Sequence, residues 1–301
     1  MFNLAYEAAV TLGCAMSFEN IETAGGLLGR VLWTVLPARR RLATQAIAER
    51  LQLGQAQATD LARSSFQHSC RAFLELLFSP RLDWRFIHDR IEIPYPERLA
   101  ALVADPAPAV IAGAHFGAWE LGSGLTRLVL PRTHKAVVVR SNRDKALNEV
   151  MIRLRQRPGL RVLEHRQSAF TIAKYLKRGG ACAFLVDHNC RRDEAIFLPF
   201  LGKIAAVNKG PALLAVKTNA TVWPVFFVRK PGPRYILHLS EPFETASLAG
   251  DTQERVAAVA THYTAAVEAM VRAWPEQWLW MHNRWKTRPP EEVADGDEHA
   301  K

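Results

Sequence analysis

The sequence is poor in cysteine and contains no long uncharged segment. Its 301 residues include four cysteines, which are scattered along the chain and form no C-x-x-C pair. Neither a disulfide framework nor a zinc cage is therefore expected, and the chain fits a reducing, cytosol-facing compartment. The longest segment without Asp, Glu, Lys or Arg runs for 14 residues from Pro106 to Trp119. A membrane-spanning helix needs roughly 18 to 20 apolar residues, so none is predicted.

Other common signals are also missing. Glu7 interrupts the first apolar run and no basic region precedes it, so the sequence predicts no secretory signal peptide. The G-x-S-x-G elbow of α/β-hydrolases is absent, which argues against a serine hydrolase. No segment interleaves basic residues with stacking aromatic residues, and we expect no nucleic-acid partner.

Positive charge, by contrast, is in excess. Lys and Arg number 39 against 29 Asp and Glu, which gives a net charge of +10. This excess suits an anionic partner such as a phosphorylated substrate or an anionic lipid surface. With 49% hydrophobic residues, the chain can also bury a large core.

Residues 1–90 have a helical pattern throughout. Within them, residues 24–43, AGGLLGRVLWTVLPARRRLA, combine an apolar run, Trp33 and three consecutive arginines. One interpretation is a core-packing helix that ends near Pro37 and is followed by a solvated charge cluster. The other is a membrane-surface element, in which a tryptophan lies at the interface and arginines contact anionic headgroups. The sequence leaves both interpretations open.

Short apolar runs alternate with helical stretches in residues 91–288. The runs are PAVIAGAH, KAVVVR, ACAFLVDH, TVWPVFFVR and RYILHLS. Their alternation with helices predicts an α/β fold, in which a mostly parallel central sheet is flanked by helices and residues 1–90 form an N-terminal helical segment of the same domain. The last two runs, separated by KPGP, predict an antiparallel hairpin. Residues 289–301 are acidic, lack large apolar side chains and are predicted to be a disordered tail.

Three polar residues end predicted strands: His115, Arg140 and Asp187. Functional groups of α/β sheets gather at the carboxyl ends of strands, so these are candidate site residues. Glu120 follows His115 by five positions, in the first turn of a predicted helix. The spacing alone favours a core histidine, and the alternative is a general base whose tautomer is held by Glu120. The Asp187–His188 pair lacks a second ligand pair at metal spacing, so no metal site is predicted.

Three segments carry a resemblance to a known family. They are residues 109–124 (AVIAGAHFGAWELGSG), residues 184–225 (FLVDHNCRRDEAIFLPFLGKIAAVNKGPALLAVKTNATVWPV) and residues 274–286 (WPEQWLWMHNRWK). In this order they resemble the lipid A late acyltransferases, the lauroyl and myristoyl transferases within the glycerolipid acyltransferase superfamily. The resemblance implies acyl transfer from a thioester, on acyl carrier protein or coenzyme A, to a lipid hydroxyl at the cytoplasmic membrane face.

The resemblance also implies roles for individual residues. His115 matches the general base of the family's motif, and Glu120 matches the acid that orients this base and stabilises its imidazolium. Residues 197–203, FLPFLGK, match the loop of the acyl or acceptor pocket. Such a transfer needs a base and a positive or hydrogen-bonding group near the developing oxyanion, but no metal and no cofactor. Substrate-binding roles are expected for Arg140, Arg155, Arg157, Asp187 and Lys209, with Arg155 as the phosphate-binding or oxyanion-stabilising arginine.

The predicted function is an O-acyltransferase at the cytoplasmic face of the inner membrane. Glu7, Glu19 and Glu22 make the N-terminal segment less apolar than the family's usual anchor, which favours peripheral over inserted attachment. The expected acceptor is a lipid A-like molecule or another glycolipid or phospholipid. A non-catalytic lipid-binding protein with the same fold is the alternative.

Overall fold

The computed structural model describes residues 2–140, 144–156, 159–165 and 168–292. The chain begins with helices, whose bounds are α1 Phe2–Ala15, α2 Phe18–Val35, α3 Pro37–Leu51, α4 Gln55–Glu75 and α5 Trp84–Arg90. A 3-10 segment, Leu76–Arg81, joins α4 to α5. The later helices are α6 Pro96–Ala104, α7 Trp119–Val129, α8 Lys145–Arg155, α9 Ala169–Lys177, α10 Gly210–Thr218 and α11 Thr252–Ala273.

The strands begin directly after α5. Their bounds are β1 Ile91–Glu92, β2 Ala109–Gly113, β3 Lys135–Val139, β4 Arg161–Glu164, β5 Ala181–Leu185, β6 Ala195–Phe200, β7 Lys203–Asn208, β8 Thr221–Lys230 and β9 Arg234–Leu239. Seven of them form one sheet in the order β1-β9-β8-β2-β5-β3-β4. Neighbours in this sheet are parallel, except for the antiparallel pair β8 and β9. Strands β6 and β7 form a separate antiparallel hairpin.

This architecture confirms the predicted α/β fold with a mostly parallel sheet. The five predicted strands are present as β2, β3, β5, β8 and β9, and the last two form the predicted hairpin. Strand β4 and the β6–β7 hairpin are not predicted. The hairpin turns at Leu201 and Gly202, which both have positive φ, and a leucine at the first position hides the usual glycine or asparagine signal of such a turn. Of the predicted tail, residues 293–301 lie outside the described part of the chain.

The sheet separates two hydrophobic cores. One face packs against α9, α10 and α11, with α3 and α4 contributing to the same core, through residues such as Phe66, Val110 and Phe226. The other face packs against α5, α6 and α7, through residues such as Ile111 and Leu121. Helices on both faces leave the carboxyl edge of the central strands as the place where loops converge.

Glycines allow α2 to pack closely on α4. A Cβ atom built on Gly29 would lie 2.4 Å from the Cα atom of Gln67, and one on Gly25 would lie 2.5 Å from the Cα atom of Arg71. Trp33, on the same helix, is buried and packs edge-on against Phe66. The interpretation of residues 24–43 as a core-packing helix is therefore confirmed for Gly25, Gly29 and Trp33, which all pack against α4. No helix among the described residues has the length and apolar composition needed to cross a bilayer.

A buried ion cluster joins α2 and α4 to the sheet. Arg229 on β8 contacts Glu75 on α4 through both ends of its guanidinium, and its Nη1 donates to Glu22 on α2 at 3.0 Å. The hydroxyl of Tyr235 on β9 donates to Glu75 at 2.7 Å. Removing one member of a buried ion pair typically costs about 3–5 kcal/mol, so this cluster firmly positions the helical segment on the sheet.

Gly29→Ala is expected to lower the free energy of unfolding by about 1–2 kcal/mol. Because the added methyl group would meet backbone atoms of Gln67 and Phe66, its cost lies at the upper end of the typical range, about 2–3 kcal/mol, and the higher helix propensity of alanine, about 1 kcal/mol, offsets only part of this. Denaturant unfolding measures the difference. Thr34→Ala, at an exposed position of the same helix, is the control and is expected to change stability by less than about 0.5 kcal/mol. A Gly29→Ala protein as stable as the wild type would contradict the close packing.

Candidate active site

Two central strand ends bring together the key polar residues. Strands β2 and β5 are parallel neighbours, with Gly113 opposite Leu185. His115 and Asp187 each follow their strand by two residues and therefore leave the sheet at its carboxyl edge. These residues are 72 positions apart in the sequence, and it is the pairing of β2 with β5 that makes them neighbours.

Asp187 holds His115 through two hydrogen bonds. The backbone N–H of His115 donates to Oδ2 of Asp187 at 2.9 Å, and ring atom Nδ1 lies 2.9 Å from Oδ1. Because an ionised carboxylate only accepts hydrogen bonds, Nδ1 carries the proton and Nε2 keeps a free lone pair. Nε2 has no hydrogen-bond partner among the described residues, and the ring, 28% exposed, lines a cavity. This arrangement leaves an accessible nitrogen lone pair, which is what a general base requires.

The charges of the two residues stabilise each other. Burial by itself would lower the pKa of His115, but the charge and hydrogen bond of Asp187 outweigh it and raise the pKa above its ordinary value. Burial would likewise raise the pKa of Asp187, but the charge of His115 and the hydrogen bonds from His115 and Trp278 hold that pKa well below its ordinary range. The carboxylate therefore stays ionised and makes the imidazole a stronger base.

The tryptophan-rich C-terminal segment, residues 274–286, makes hydrogen bonds to both His115 and Asp187. The indole Nε1 of Trp278 donates to Oδ2 of Asp187 at 2.8 Å, and the backbone N–H of Leu279 donates to the carbonyl of His115 at 3.0 Å. Gln277 accepts from the backbone N–H of Gly117 at 2.9 Å. Gly117 has φ +59°, and a Cβ atom there would lie 1.8 Å from the carbonyl oxygen of Phe227, so only glycine fits this turn. Trp278 and Trp280 are buried, as expected for core packing.

Glu120 does not hold a ring nitrogen of His115, and that prediction is wrong. Its carboxylate instead accepts from Arg155, at 2.9 Å from Nε and 2.5 Å from Nη2, and from the indole of Trp119 at 3.3 Å. In the first turn of α7, Glu120 faces α8, whereas Nδ1 of His115 faces the end of β5. Glu120 still acts on His115 through its charge, which adds to the rise in the pKa of the imidazole.

The other predicted site residues differ in their placement. Arg140, Arg155 and Lys209 line the same cavity as His115, and Nη1 of Arg140 donates to the carbonyl of Asn189 at 3.4 Å. Asp187 is buried behind His115 rather than exposed to a substrate. Arg157 lies outside the described residues.

The FLPFLGK segment does not form a loop of the cavity that holds His115. Its residues build the β6–β7 hairpin and none of them lines the cavity. Phe200 is buried against Trp278 and Trp285, with ring centroids 5.5 Å and 6.0 Å away. The expectation that this segment shapes the pocket that holds His115 is therefore wrong: Phe200 packs into the core, and Leu201 and Gly202 line a separate cavity beside α3.

The cavity has a volume of about 850 Å³, at the upper end of the range for small-molecule sites. It reaches both faces of the sheet, because consecutive residues such as Val138 and Val139 both line it and point to opposite faces. The inner arm lies between the sheet and helices α7 and α8, and is lined by Ile111, Ser123, Thr126, Val137, Met151, Ala183 and Leu185. The outer arm lies on the opposite face beside α9 and α10, and is lined by Phe170, Ala173, Phe184, Leu213, Leu214 and Lys217.

Two histidines that the sequence analysis does not select also line the cavity. Nδ1 of His188 lies 2.9 Å from the carbonyl of Leu185, and Nε2 of His282 lies 3.0 Å from the backbone N–H of Asn189. Burial is the main cause that lowers the pKa of each to about 4, so both rings are neutral near pH 7. In the sequence, the only sign that His282 belongs to the site is its position in the tryptophan-rich segment, four residues after Trp278.

Three cysteines of the described residues are buried and unreactive. Cys70, Cys182 and Cys190 are buried, and burial raises the pKa of their thiols to about 11, 12 and 11, which keeps them protonated and unreactive. Within the described ranges, no three His, Cys, Asp or Glu side chains are placed to share a metal ion.

Comparison with known proteins gives one family. The model of the bacterial lipid A biosynthesis acyltransferases matches residues 4–287. The lipid A biosynthesis palmitoleoyltransferase of Escherichia coli (strain K12) is 29% identical over 182 residues, which are 60% of this chain and 56% of that protein. The lipid A biosynthesis lauroyltransferase of the same organism is 29% identical over 195 residues, 64% and 61% of the two chains. The chain thus matches less than two thirds of the length of these relatives.

A solved structure is similar at a lower level. The 1-acyl-sn-glycerophosphate acyltransferase PlsC from Thermotoga maritima gives a TM-score of 0.38 and 14% sequence identity over 82% of this chain and 98% of that chain.

Asp187→Asn is expected to lower the pKa of His115. The carboxylate raises this pKa through its charge and its hydrogen bond, and an amide keeps the shape but not the charge. Titration of the imidazole signals by NMR measures the change. The wild-type protein, titrated under the same conditions, is the reference. An unchanged pKa of His115 in a folded Asp187→Asn protein would show that Asp187 does not tune the base.

Proposed function

The chain belongs to the bacterial lipid A biosynthesis acyltransferase family, and on that premise we propose that it transfers a fatty acyl group from a thioester to a hydroxyl of a lipid acceptor. The observation that carries the proposal is the free Nε2 of His115 where two apolar arms meet. The donor is a thioester of acyl carrier protein or coenzyme A. Relatives are named for lipid A biosynthesis, so a lipid A precursor is the acceptor to test first.

His115 acts as the general base. Its Nε2 removes the proton of the acceptor hydroxyl as the oxygen attacks the carbonyl carbon of the thioester. The carbonyl oxygen becomes an oxyanion, the C–S bond breaks when the intermediate collapses, and the thiolate takes its proton from the imidazolium. Asp187 fixes the tautomer before this step and stabilises the imidazolium during it. The residues thus require neither a metal nor a covalent intermediate.

The inner arm receives the acyl chain. Apart from Ser123, Thr126 and Asn148, its lining is apolar, and it lies between the sheet and two helices, which suits an unbranched hydrocarbon. Helix α7 begins beside the site and runs away from it, so Thr126, six residues after Glu120, lies about 9 Å deeper. The Glu120–Arg155 ion pair forms part of the wall near the entrance.

The cavity rim supports recognition of an anionic acceptor. Arg140 and Lys209 are exposed and line the cavity on the side of the outer arm. Two cations beside an apolar arm match an amphipathic molecule that carries phosphate and hydrocarbon together. These residues therefore bind the acceptor, as the resemblance implied.

Helix α2 supports attachment to a membrane surface. Leu27, Val31 and Val35 are 53%, 55% and 59% exposed, and a spacing of four residues places them on one helix face. Arg39 and Arg41 follow at the start of α3 and are exposed; such residues add about 1 kcal/mol each near an anionic membrane surface. Nη1 of Arg39 also donates to the carbonyl of Met281 at 3.3 Å, so this end of α2 lies near the cavity. We place the protein peripherally at the cytoplasmic face of the inner membrane.

His115→Gln is expected to lower the transfer rate by about 10²- to 10⁴-fold, the usual contribution of a general base. Mass spectrometry of the acylated lipid, with acyl thioesters and a lipid A precursor as substrates, measures the rate. In the wild type, kcat/KM should fall as the pH drops below the raised pKa of His115, because only the neutral imidazole accepts a proton.

The matched control is His88→Gln, at an exposed position that does not line the cavity, which should keep wild-type activity. A folded His115→Gln protein with full activity would overturn the mechanism. Lipid binding without transfer to any acceptor, in the wild type as well, would favour the non-catalytic alternative.

Thr126→Phe is expected to shift the donor preference toward shorter acyl chains, because the ring would shorten the inner arm. Each methylene in a hydrophobic pocket is worth about 1–3 kcal/mol, so the ratio of kcat/KM for long over short donors should fall by about 10-fold or more. A series of acyl thioesters measures this ratio. Thr34→Phe, on the exposed part of α2, should leave the ratio unchanged, and an unchanged ratio in Thr126→Phe would place the acyl chain elsewhere.

A further inference from the structure

His282 lies beside the base although it belongs to the far end of the chain. The carbonyl of His115 accepts from the backbone N–H of Leu279 at 3.0 Å, and the carbonyl of Leu279 accepts from the backbone N–H of His282 at 3.2 Å. A single tight turn therefore separates His282 from Leu279, whose backbone is hydrogen-bonded to that of His115. Both imidazole rings line the same cavity.

A backbone hydrogen bond fixes the tautomer of His282. The N–H of Asn189 can only donate, so Nε2 of His282 must accept, and the neutral ring carries its proton on Nδ1. Nδ1 has no hydrogen-bond partner among the described residues. It is also not one of the fully buried polar atoms that lack a partner, so a ligand can reach it. Burial keeps the ring neutral, because it lowers the pKa to about 4. His282 therefore offers a fixed, neutral N–H donor from a ring that lines the cavity.

The backbone donors that immediately follow His115 are already engaged. The four backbone N–H groups from His115 to Ala118 donate, in order, to Asp187, Ala114, Gln277 and Phe227. His188 has the opposite tautomer, because its Nδ1–H donates to the carbonyl of Leu185 and leaves only an acceptor toward the cavity. From His115 to Ala118, the loop therefore has no free amide to stabilise negative charge on the thioester oxygen.

We propose that His282 is a further catalytic residue, which donates its Nδ1–H to the oxyanion formed on the thioester carbonyl. This inference rests on the acyl transfer proposed above. As the acceptor oxygen bonds to the carbonyl carbon, the electron pair of the C=O bond moves to its oxygen, and His282 binds that oxygen while His115 holds the proton. When the C–S bond breaks, the carbonyl re-forms and the thiolate takes the proton from His115. His282 itself gains and loses no proton.

Two conservative variants separate this role from a structural one. In His282→Asn, the side-chain amide lies where Nδ1 was and can donate to the oxyanion, but it no longer reaches Asn189. In His282→Gln, the amide reaches the position of Nε2 and can accept from Asn189, but no donor remains near Nδ1. Thermal unfolding of both proteins checks that they fold.

The expected result is a clear order of kcat values with the same acyl thioester and lipid acceptor. His282→Gln should lose about 10²- to 10³-fold in kcat, as when one oxyanion donor is removed, with little change in KM. His282→Asn should stay within about 10-fold of the wild type. The pH midpoint of kcat/KM should stay at the wild-type value in both variants, because His115 remains the base.

Three results would overturn the proposal. The reverse order of kcat values would mean that His282 only holds the loop at Asn189, and a rise in KM without a fall in kcat would mean a binding role. Wild-type kcat in both variants would show that His282 does not contribute to the reaction. Failure of acyl transfer itself is distinguishable, because the wild type would then form no product with any thioester and acceptor.

Discussion

The carboxylate of Asp187 accepts hydrogen bonds from three groups, and the candidate active site depends on them. The backbone and the ring of His115 come from the end of β2, and the indole of Trp278 comes from the C-terminal segment. A buried carboxylate without such partners would cost several kcal/mol. With them it stays ionised, fixes the position of the base and ties three distant parts of the chain together. The tautomer of His115 follows from this one group, which is also the largest cause of the rise in the pKa of the imidazole.

The rest of the fold keeps this carboxylate in place. The parallel pairing of β2 with β5 sets the distance between His115 and Asp187. Gln277 fixes the C-terminal segment from the other side: its side chain accepts from the backbone N–H of Arg229 at 2.8 Å and donates to the backbone carbonyl of Arg229 at 2.9 Å. Arg229 in turn holds the N-terminal helices through Glu75. Packing of the helices, the sheet edge and the tryptophan-rich segment is thus linked to the geometry of the base.

Two acidic residues near His115 have separate roles, whereas the sequence predicted that Glu120 would both orient the ring and stabilise its positive charge. Asp187 orients the ring, whereas Glu120 pairs with Arg155 and influences His115 only through its charge. The short spacing of His115 and Glu120 in the sequence made Glu120 the obvious partner. An acidic residue in the first turn of α7 faces the neighbouring helix, however, and the ring faces the neighbouring strand. Local spacing was therefore a poor guide to the contact.

Much of the fold and part of the site could be predicted from the sequence by itself. Short apolar runs that alternate with helices predict an α/β sheet, and the position of His115 after an apolar run places it at the carboxyl edge of that sheet, because these patterns are local. The partners of His115 and His282 were decided only by the tertiary structure. Asp187 is 72 positions from His115, and Trp278 is 91 positions from Asp187. Strand order and the docking of the C-terminal segment are set by packing across the whole core, which no local pattern encodes.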